Sequence, residues 1–300
     1  MASVEANGIT IEYEESGWGD PLLLVMGLNG QLIDWPAGLI DTLVDEGFRV
    51  IRFDNRDAGL STEFSGPPPT TGQMLRRVVF RSHVKPEYTL SDMARDAVGL
   101  LDALGIERAH VAGMSMGGMI AQLIAIEHPS RVLSLTSIMS NTGSRWIGLP
   151  TAKVMAYVAR RKPVPAELAI EPAVELFRLI SGSTFDDAQF REMAKASISR
   201  SYRPAGTARQ LAAILAAKDR TPRLRELDVP TLVIHGTLDS LVRPNGGIAT
   251  AKAVPGARLL MFNDMGHDLP HTRWHEIASA IRANADRGQE ASALAGSTYG

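Results

Sequence analysis

The sequence predicts an α/β protein in which a mostly parallel sheet is covered by helices on both faces. Short, continuous apolar runs recur along the 300 residues, "PLLLVMG", "FRVIRFD", "AHVAG", "VLSLTSIM" and "PTLVIHG"; strands buried on both faces read this way. Longer stretches with apolar residues at helical spacing stand between them, and that alternation is the signature of helices packed on a parallel sheet. At 45% hydrophobic residues the chain has enough apolar surface for one large domain, or for a domain with an insertion.

Each element follows in order. "ITIEYEE" alternates with period two and reads as an early antiparallel strand. The apolar runs above are the buried strands, and "ARLLMF" adds a last one. "LSDMARDAVGLLDALG" is an amphipathic helix with Gly105 as its C-cap. "MGGMIAQLIAIEHP" is apolar nearly all round and stops at Pro129, so that helix must be buried. "EFSGPPPTTG" reads as a loop with polyproline character, and the small, polar tail "DRGQEASALAGSTYG" is expected to fray. From about Asn141 to Lys218 no strand is evident, and prolines at 150, 163, 165, 172 and 204 punctuate helical pieces rich in Ala, Leu, Ile and Met. The sheet resumes at "VPTLVIHG". Residues 1–140 and 219–300 are therefore expected to form one core domain, interrupted by a helical cap over 141–218.

Composition excludes several classes of function. A formal charge of −2 with 21% charged residues gives no electrostatic case for nucleic acid. Without cysteine there is no disulfide, thiolate nucleophile or Cys-ligated zinc. The first residues lack the apolar stretch of a secretory signal, and no run reaches the ~18 apolar residues of a membrane span. The expectation is a soluble, cytoplasmic protein. Neither G-x-G-x-x-G after a strand nor G-x-x-x-x-G-K-[ST] occurs, so no cofactor is expected. "HEIAS" is half of H-E-x-x-H, but Ser279 stands where the second histidine belongs, so no metal is expected either. Nothing in the sequence speaks to oligomeric state.

The chemistry concentrates around Gly113-Met114-Ser115-Met116-Gly117, a G-x-S-x-G with a short strand before it and a helix after it. A strand that turns at once into a helix strains its central residue, and large flanking side chains would strike the adjacent turn. That geometry would lift Ser115 above the sheet edge. A serine needs a base to activate it and a group to orient the base. "VIHGTLDSLVRP" sets Asp239 just beyond a buried strand, and "FNDMGHDLP" sets His267 in the loop after the last strand. All three fall at the carboxyl edge of the sheet, where open α/β sheets place their sites. The backbone amides of Met116 and of Leu28, freed by the turn at Gly27, are the expected oxyanion donors. Asn29, Gln31, Trp35 and Met114 are candidates to line the pocket, Trp35 being equally readable as packing at a helix start.

With these residues in view, the chain resembles an α/β-hydrolase fold serine esterase over nearly its whole length. The resemblance lies in "VMGLNG", "FDNRDAGLS", "GMSMGG", "HGTLD" and "FNDMGHDLP", and is strongest to bacterial carboxylesterases of the lipase and aclacinomycin methylesterase branch. It implies a helical cap inserted in the α/β-hydrolase core and hydrolysis of small, hydrophobic esters through an acyl-enzyme, with no cofactor. Many relatives carry His-Gly before the oxyanion residue where this chain has Met26-Gly27. The same fold also hosts cofactor-free perhydrolases, carbon-carbon bond hydrolases and non-catalytic ligand receptors; dehalogenases and epoxide hydrolases place Asp where this chain has Ser115.

Other candidates have plainer readings. His110 and His235 read as packed, hydrogen-bonded strand residues, His128 as a helix-end residue, His271 and His275 as positions on a later helix, and His83 as part of a polar loop. Asp264 and Asp268 flank His267 but lie too close along one loop to face its ring. Asn141, where some relatives carry the acid, is a neutral amide. Asp54 and Arg56 read as loop-holding hydrogen-bond partners.

Overall fold

The computed structural model describes residues 1–69, 86–160 and 164–297. His83, Pro163 and the last residues of the "EFSGPPPTTG" stretch lie outside them. Eight strands form one sheet: β1 (Ala2–Ala6), β2 (Ile9–Ser16), β3 (Asp20–Val25), β4 (Phe48–Phe53), β5 (Ala109–Met114), β6 (Val132–Ile138), β7 (Thr231–Gly236) and β8 (Arg258–Phe262), in the order β1-β2-β4-β3-β5-β6-β7-β8. β2 pairs antiparallel with both β1 and β4, and every pairing from β4 to β8 is parallel. β5 lies in the interior of the sheet, so the residue at its carboxyl end stands between neighbours on both sides.

The apolar strands feed two faces in alternation. Leu23, Val25, Ile51 and Val111 pack toward helices α2 (Leu90–Ala103) and α3 (Met116–Glu127), while Leu22, Leu24, Val50 and Ala112 pack toward α1 (Ala37–Asp45) and α10 (Trp274–Ser297). Period-two alternation in continuously apolar strands thus yields two cores, each buried side chain contributing about 1.5–3 kcal/mol relative to exposure. α2 begins with a reciprocal capping box between Thr89 and Asp92 and is followed by Gly105 at φ +66°, the left-handed position expected after a C-terminus. α3 buries every residue from Met116 to Ala125.

Between β6 and β7 the described residues are helical: α4 (Ala152–Arg160), α5 (Ile170–Ile180), α6 (Asp187–Arg200), α7 (Pro204–Ala216) and the short α8 (Thr221–Leu224). α9 (Asn245–Ala253) follows β7. Two elements differ from expectation. β1, "ASVEA", is a mostly exposed edge strand whose pattern carries little apolar signal. The stretch from Asp286 is helical as far as Ser297, at the end of α10. Gly288 packs against the Leu133 carbonyl and Gln289 donates to Asp20, so the start of this stretch is docked on the sheet through contacts no local pattern announces.

Candidate active site

β5 ends at Met114, and α3 begins at Met116, leaving Ser115 alone at the turn with φ 58° and ψ −118°. Such a conformation costs a non-glycine residue about 1–3 kcal/mol and persists only where its surroundings enforce it. Here the Ser115 amide donates to the Ile138 carbonyl at 2.9 Å, and the Ser140 hydroxyl donates to the Ser115 carbonyl at 2.8 Å. The flanking glycines are sterically required: a Cβ on Gly113 would strike the Gly117 carbonyl, and one on Gly117 would strike the Val25 carbonyl at the end of β3. The sequence motif is thus the packing of a helix start against two strand ends.

His267 lies in the loop after β8 and is held by its own amide, which donates to the Ile180 carbonyl at the end of α5 at 2.8 Å. Its Nε2 is 3.0 Å from Ser115 Oγ, and its Nδ1 is 2.8 Å from Asp239 Oδ2. Asp239 sits just beyond β7 with its carboxylate buried; Oδ1 accepts the amides of Leu241 at 2.9 Å and Val242 at 2.8 Å. Burial alone would raise its pKa, but the charge of His267 and hydrogen bonds from His235 and His267 outweigh it and push the carboxyl down to about 2. Asp239 is therefore ionised wherever an imidazole titrates. Of the flanking acids, Asp264 pairs with Arg273 at 3.0 Å, and Asp268 accepts the amides of Gly182 and Gly266, so neither is given over to the ring.

The loop after β3 closes the site. An added Cβ on Gly27 would lie 3.2 Å from Ser115 Cβ and 3.2 Å from the Met114 carbonyl, so the backbone at this point passes directly beside the serine. The Gly30 amide donates to the Gly27 carbonyl at 3.2 Å, and Asn29 takes φ 62° within that turn. Neither the Leu28 nor the Met116 amide has a protein acceptor among the described residues. Met26, where many relatives carry histidine, is buried beneath Gly30.

Not every candidate converges on the serine. Met114 and Leu28 are half-buried beside it. The Asn29 amide donates to Gln210 Oε1 at 2.9 Å, and its side-chain oxygen accepts from Thr207, which ties it to α7. Gln31 is only 3% exposed, and its amide group is spent on the carbonyls of Ser197 and Ser201 and on Arg200. Trp35 is 1% exposed in the core between α1 and the sheet. The structure ties Gln31 to α6 and packs Trp35 between α1 and the sheet.

Sequence reading passed over three other participants. His235, read as a packed strand residue, is fully buried; its Nε2 donates to the Val242 carbonyl at 2.7 Å and lies 3.3 Å from Asp239 Oδ2. The spacing His235 to Asp239 in "HGTLD" was its only signal. Arg200 and Arg209 reach from α6 and α7 to Asp54 and Asp57, each at 2.7 Å. Arg56 forms a separate buried pair with Asp96 at 2.6 Å, and Asn55 donates to the Met26 carbonyl at 2.9 Å. Nothing in "FDNRD" alone names partners so distant in sequence.

With this geometry in view, comparison with known proteins is informative. A family profile described as "alpha/beta hydrolase fold" matches residues 20–273. A rhodomycin D methylesterase from Streptomyces peucetius is 30% identical, with 89% of this chain and 93% of that protein covered. A 2-hydroxymuconate semialdehyde hydrolase from Pseudomonas sp. strain CF600 is 29% identical, covering 92% and 88%. Among solved structures, the enol-lactonase from Burkholderia xenovorans LB400 superposes with a TM-score of 0.70 at 24% identity, over 96% of this chain and 100% of that one. The chain belongs to the alpha/beta hydrolase fold family and is a hydrolase. Among the described residues no helix is long and apolar enough to cross a membrane.

Proposed function

We propose that this hydrolase cleaves carboxylic esters of small, hydrophobic substrates through a Ser115 acyl-enzyme. The reading rests on one observation above all, the unbroken line of hydrogen bonds from Asp239 through His267 to Ser115. Ser115 Oγ attacks the ester carbonyl carbon as His267 Nε2 takes its proton, and Asp239 holds the Nδ1–H tautomer and stabilises the imidazolium. The tetrahedral oxyanion sits against the amides of Leu28 and Met116, a contribution typically worth ~10²–10³ in rate per donor. Collapse expels the alcohol, which takes the proton from His267. A water activated by the same imidazole then attacks the acyl-enzyme, releases the acid and returns the proton to Ser115. Residues 141–218 act as a cap over this edge, and their apolar helices suit hydrophobic substrates. The likeness to a methylesterase favours a methyl or other small-alkyl ester as the scissile group.

The test is hydrolysis of p-nitrophenyl esters from acetate to palmitate by the wild type, Ser115→Ala and His267→Ala. The expected result is turnover by the wild type with a defined chain-length optimum, and loss of several orders of magnitude in both variants, since such groups act as a unit. Absence of turnover across the series, or full activity in Ser115→Ala, overturns the reading. A second reading, hydrolysis of a carbon-carbon bond by the same residues, draws on the 29% identical semialdehyde hydrolase; it is favoured if a vinylogous diketone is cleaved faster than every ester.

A further inference from the structure

Helix α4 faces solvent with the wrong side for a helix of a soluble surface. Only Val154 is buried and Tyr157 half-buried, while Ala152, Met155, Ala156, Val158 and Ala159 are all exposed. At 100° per residue these five form one continuous outward arc. The other exposed residues, Lys153 and Arg160, stand together along one flank of it. A surface helix ordinarily turns such an apolar arc inward and charges outward.

The anomaly extends beyond the helix. Among the described residues, four of the ten exposed large hydrophobics, Trp146, Leu149, Met155 and Val158, lie on this helix or on the segment leading into it. The segment holding Trp146 and Leu149 lies on the acid loop, with the Thr151 amide donating to the Ser240 carbonyl at 2.9 Å and Arg243 donating to the Leu149 carbonyl at 2.7 Å. Leu238, exposed and directly before Asp239, lies on that same loop. Exposed apolar residues grouped in this way mark an interaction site.

Charge says what covers it. From Thr142 to Arg160 the chain has Arg145, Lys153 and Arg160 and no acidic residue, within a protein of net charge −2. On helices α5 and α6, Arg178 and Arg191 are paired with carboxylates. Arg145, Lys153, Arg160 and Arg243 have no carboxylate within 4.0 Å among the described residues. Arg145 instead lies 4.5 Å from the centre of the Trp146 ring. Of the two acids on the neighbouring helix, Glu171 pairs with Arg191 and Glu175 accepts from the Tyr157 hydroxyl at 3.1 Å, and a groove of about 580 Å³ between α4 and α5 has Lys153, Arg160 and Glu175 on its wall.

An exposed tryptophan, an outward aliphatic arc and flanking unpaired cations form the combination that seats a helix at the boundary of an anionic bilayer, the apolar arc entering the acyl region and the cations meeting headgroups. We propose that α4 and the preceding segment from Arg145 form a docking surface for anionic membranes. The surface brings the rim of the Ser115 cleft to the lipid boundary, where hydrophobic substrates partition.

The experiment is flotation of the full-length protein with phosphatidylcholine vesicles, with and without phosphatidylglycerol, at low and high salt. The wild type is expected to float with the anionic vesicles and not with the neutral ones, and to be released by salt. Lys153→Gln with Arg160→Gln should weaken binding by about tenfold or more, because each basic residue near such a surface contributes several-fold. Trp146→Ser with Met155→Ser should weaken it by a similar factor with little change in salt dependence. Both double variants should keep the wild-type Tm and hydrolyse a soluble ester at the wild-type rate. Ser115→Ala should bind as the wild type does, so docking and catalysis are tested separately. Failure of the wild type to float with anionic vesicles overturns the proposal, as does floating that neither double variant weakens. A wild-type dimer by light scattering that Met155→Lys converts to monomer also overturns it, assigning the face to a second copy of the chain.

Discussion

Strand β7 is buried along its whole length, whereas α6, fourteen residues long, buries only Ala194. The strand is held by apolar contact on both faces. The helix stacks Phe190 on Phe177 of α5 at 4.1 Å, and it and its neighbour α7, which buries Ala212 and Ala213, are further tied down by buried charges: Arg200 donates to Asp54 and Gln31, each at 2.7 Å, and Arg209 donates to Asp57 with both ends of its guanidinium. Broad burial spreads stability over many small contributions, so a single change there is partly absorbed. Point attachment concentrates it in a few buried charges, where removing one partner strands the other.

The largest expected effect falls on the sheet side. Asp239→Asn should lower kcat by ~10⁴, about 5 kcal/mol of barrier, with little change in Tm, because the neutral amide leaves the loop packed but presents the wrong partner to His267. Steady-state kinetics on the best ester of the series checks this; a loss below tenfold would break the assignment of Asp239. Next comes the helix side. Arg209→Met should destabilise by about 3 kcal/mol in urea unfolding, since it leaves the Asp57 carboxylate buried with only Tyr88 and Phe64 as donors. If that variant costs as little as a surface change, the buried charges contribute little to holding the helices.

A smaller effect, of opposite sign, is expected at Asp34. Burial and the nearby Asp54 push its carboxyl up to about 6, against the Gln31 amide, the Ser197 hydroxyl and Arg200, and its Oδ1 is buried without a partner. The folded protein therefore holds a proton that the unfolded chain releases near pH 4, so stability falls as pH rises from about 4 to about 6. Asp34→Asn should remove that decline and add on the order of 1 kcal/mol at pH 7, with no gain at pH 4. Urea midpoints at the two pH values measure it. The smallest effect is at the exposed pair of Arg178 and Asp187, where Arg178→Ala should leave Tm unchanged within error.

The same contrast explains what could be read in the sequence. The parallel strands and the serine turn were legible because their causes are local: a strand buried on both faces must be apolar throughout, and a strand running straight into a helix needs glycine on either side of Ser115. That Asp239 and His267 would come beside Ser115 was legible because each follows a recognisable strand. The attachments of α6 and α7 were not, since Arg200 and Arg209 look like any surface arginine until the chain brings them to partners 146 and 152 positions away. His235 was hidden for a related reason; a histidine in an apolar strand reads as core, and only the turn after β7 reveals that it faces the same carboxylate as His267. The hydrogen bonds of Gln31 to Ser197, Ser201 and Arg200 were hidden in the same way, since those partners lie about 170 positions away along the chain.

The tetrapeptide Asp54-Asn55-Arg56-Asp57, buried throughout, sends each side chain to a different part of the molecule: Arg200, the Met26 carbonyl, Asp96 and Arg209 in turn. Any exchange of the helices between β6 and β7 for those of another hydrolase inherits this socket. A graft lacking the two arginines would leave two carboxylates buried without cations, and Asn55 would carry the resulting shift to Met26, the residue before Gly27. The helices between β6 and β7 are thus not freely exchangeable: the transplant must bring its own plugs, or the turn beside Ser115 moves with it.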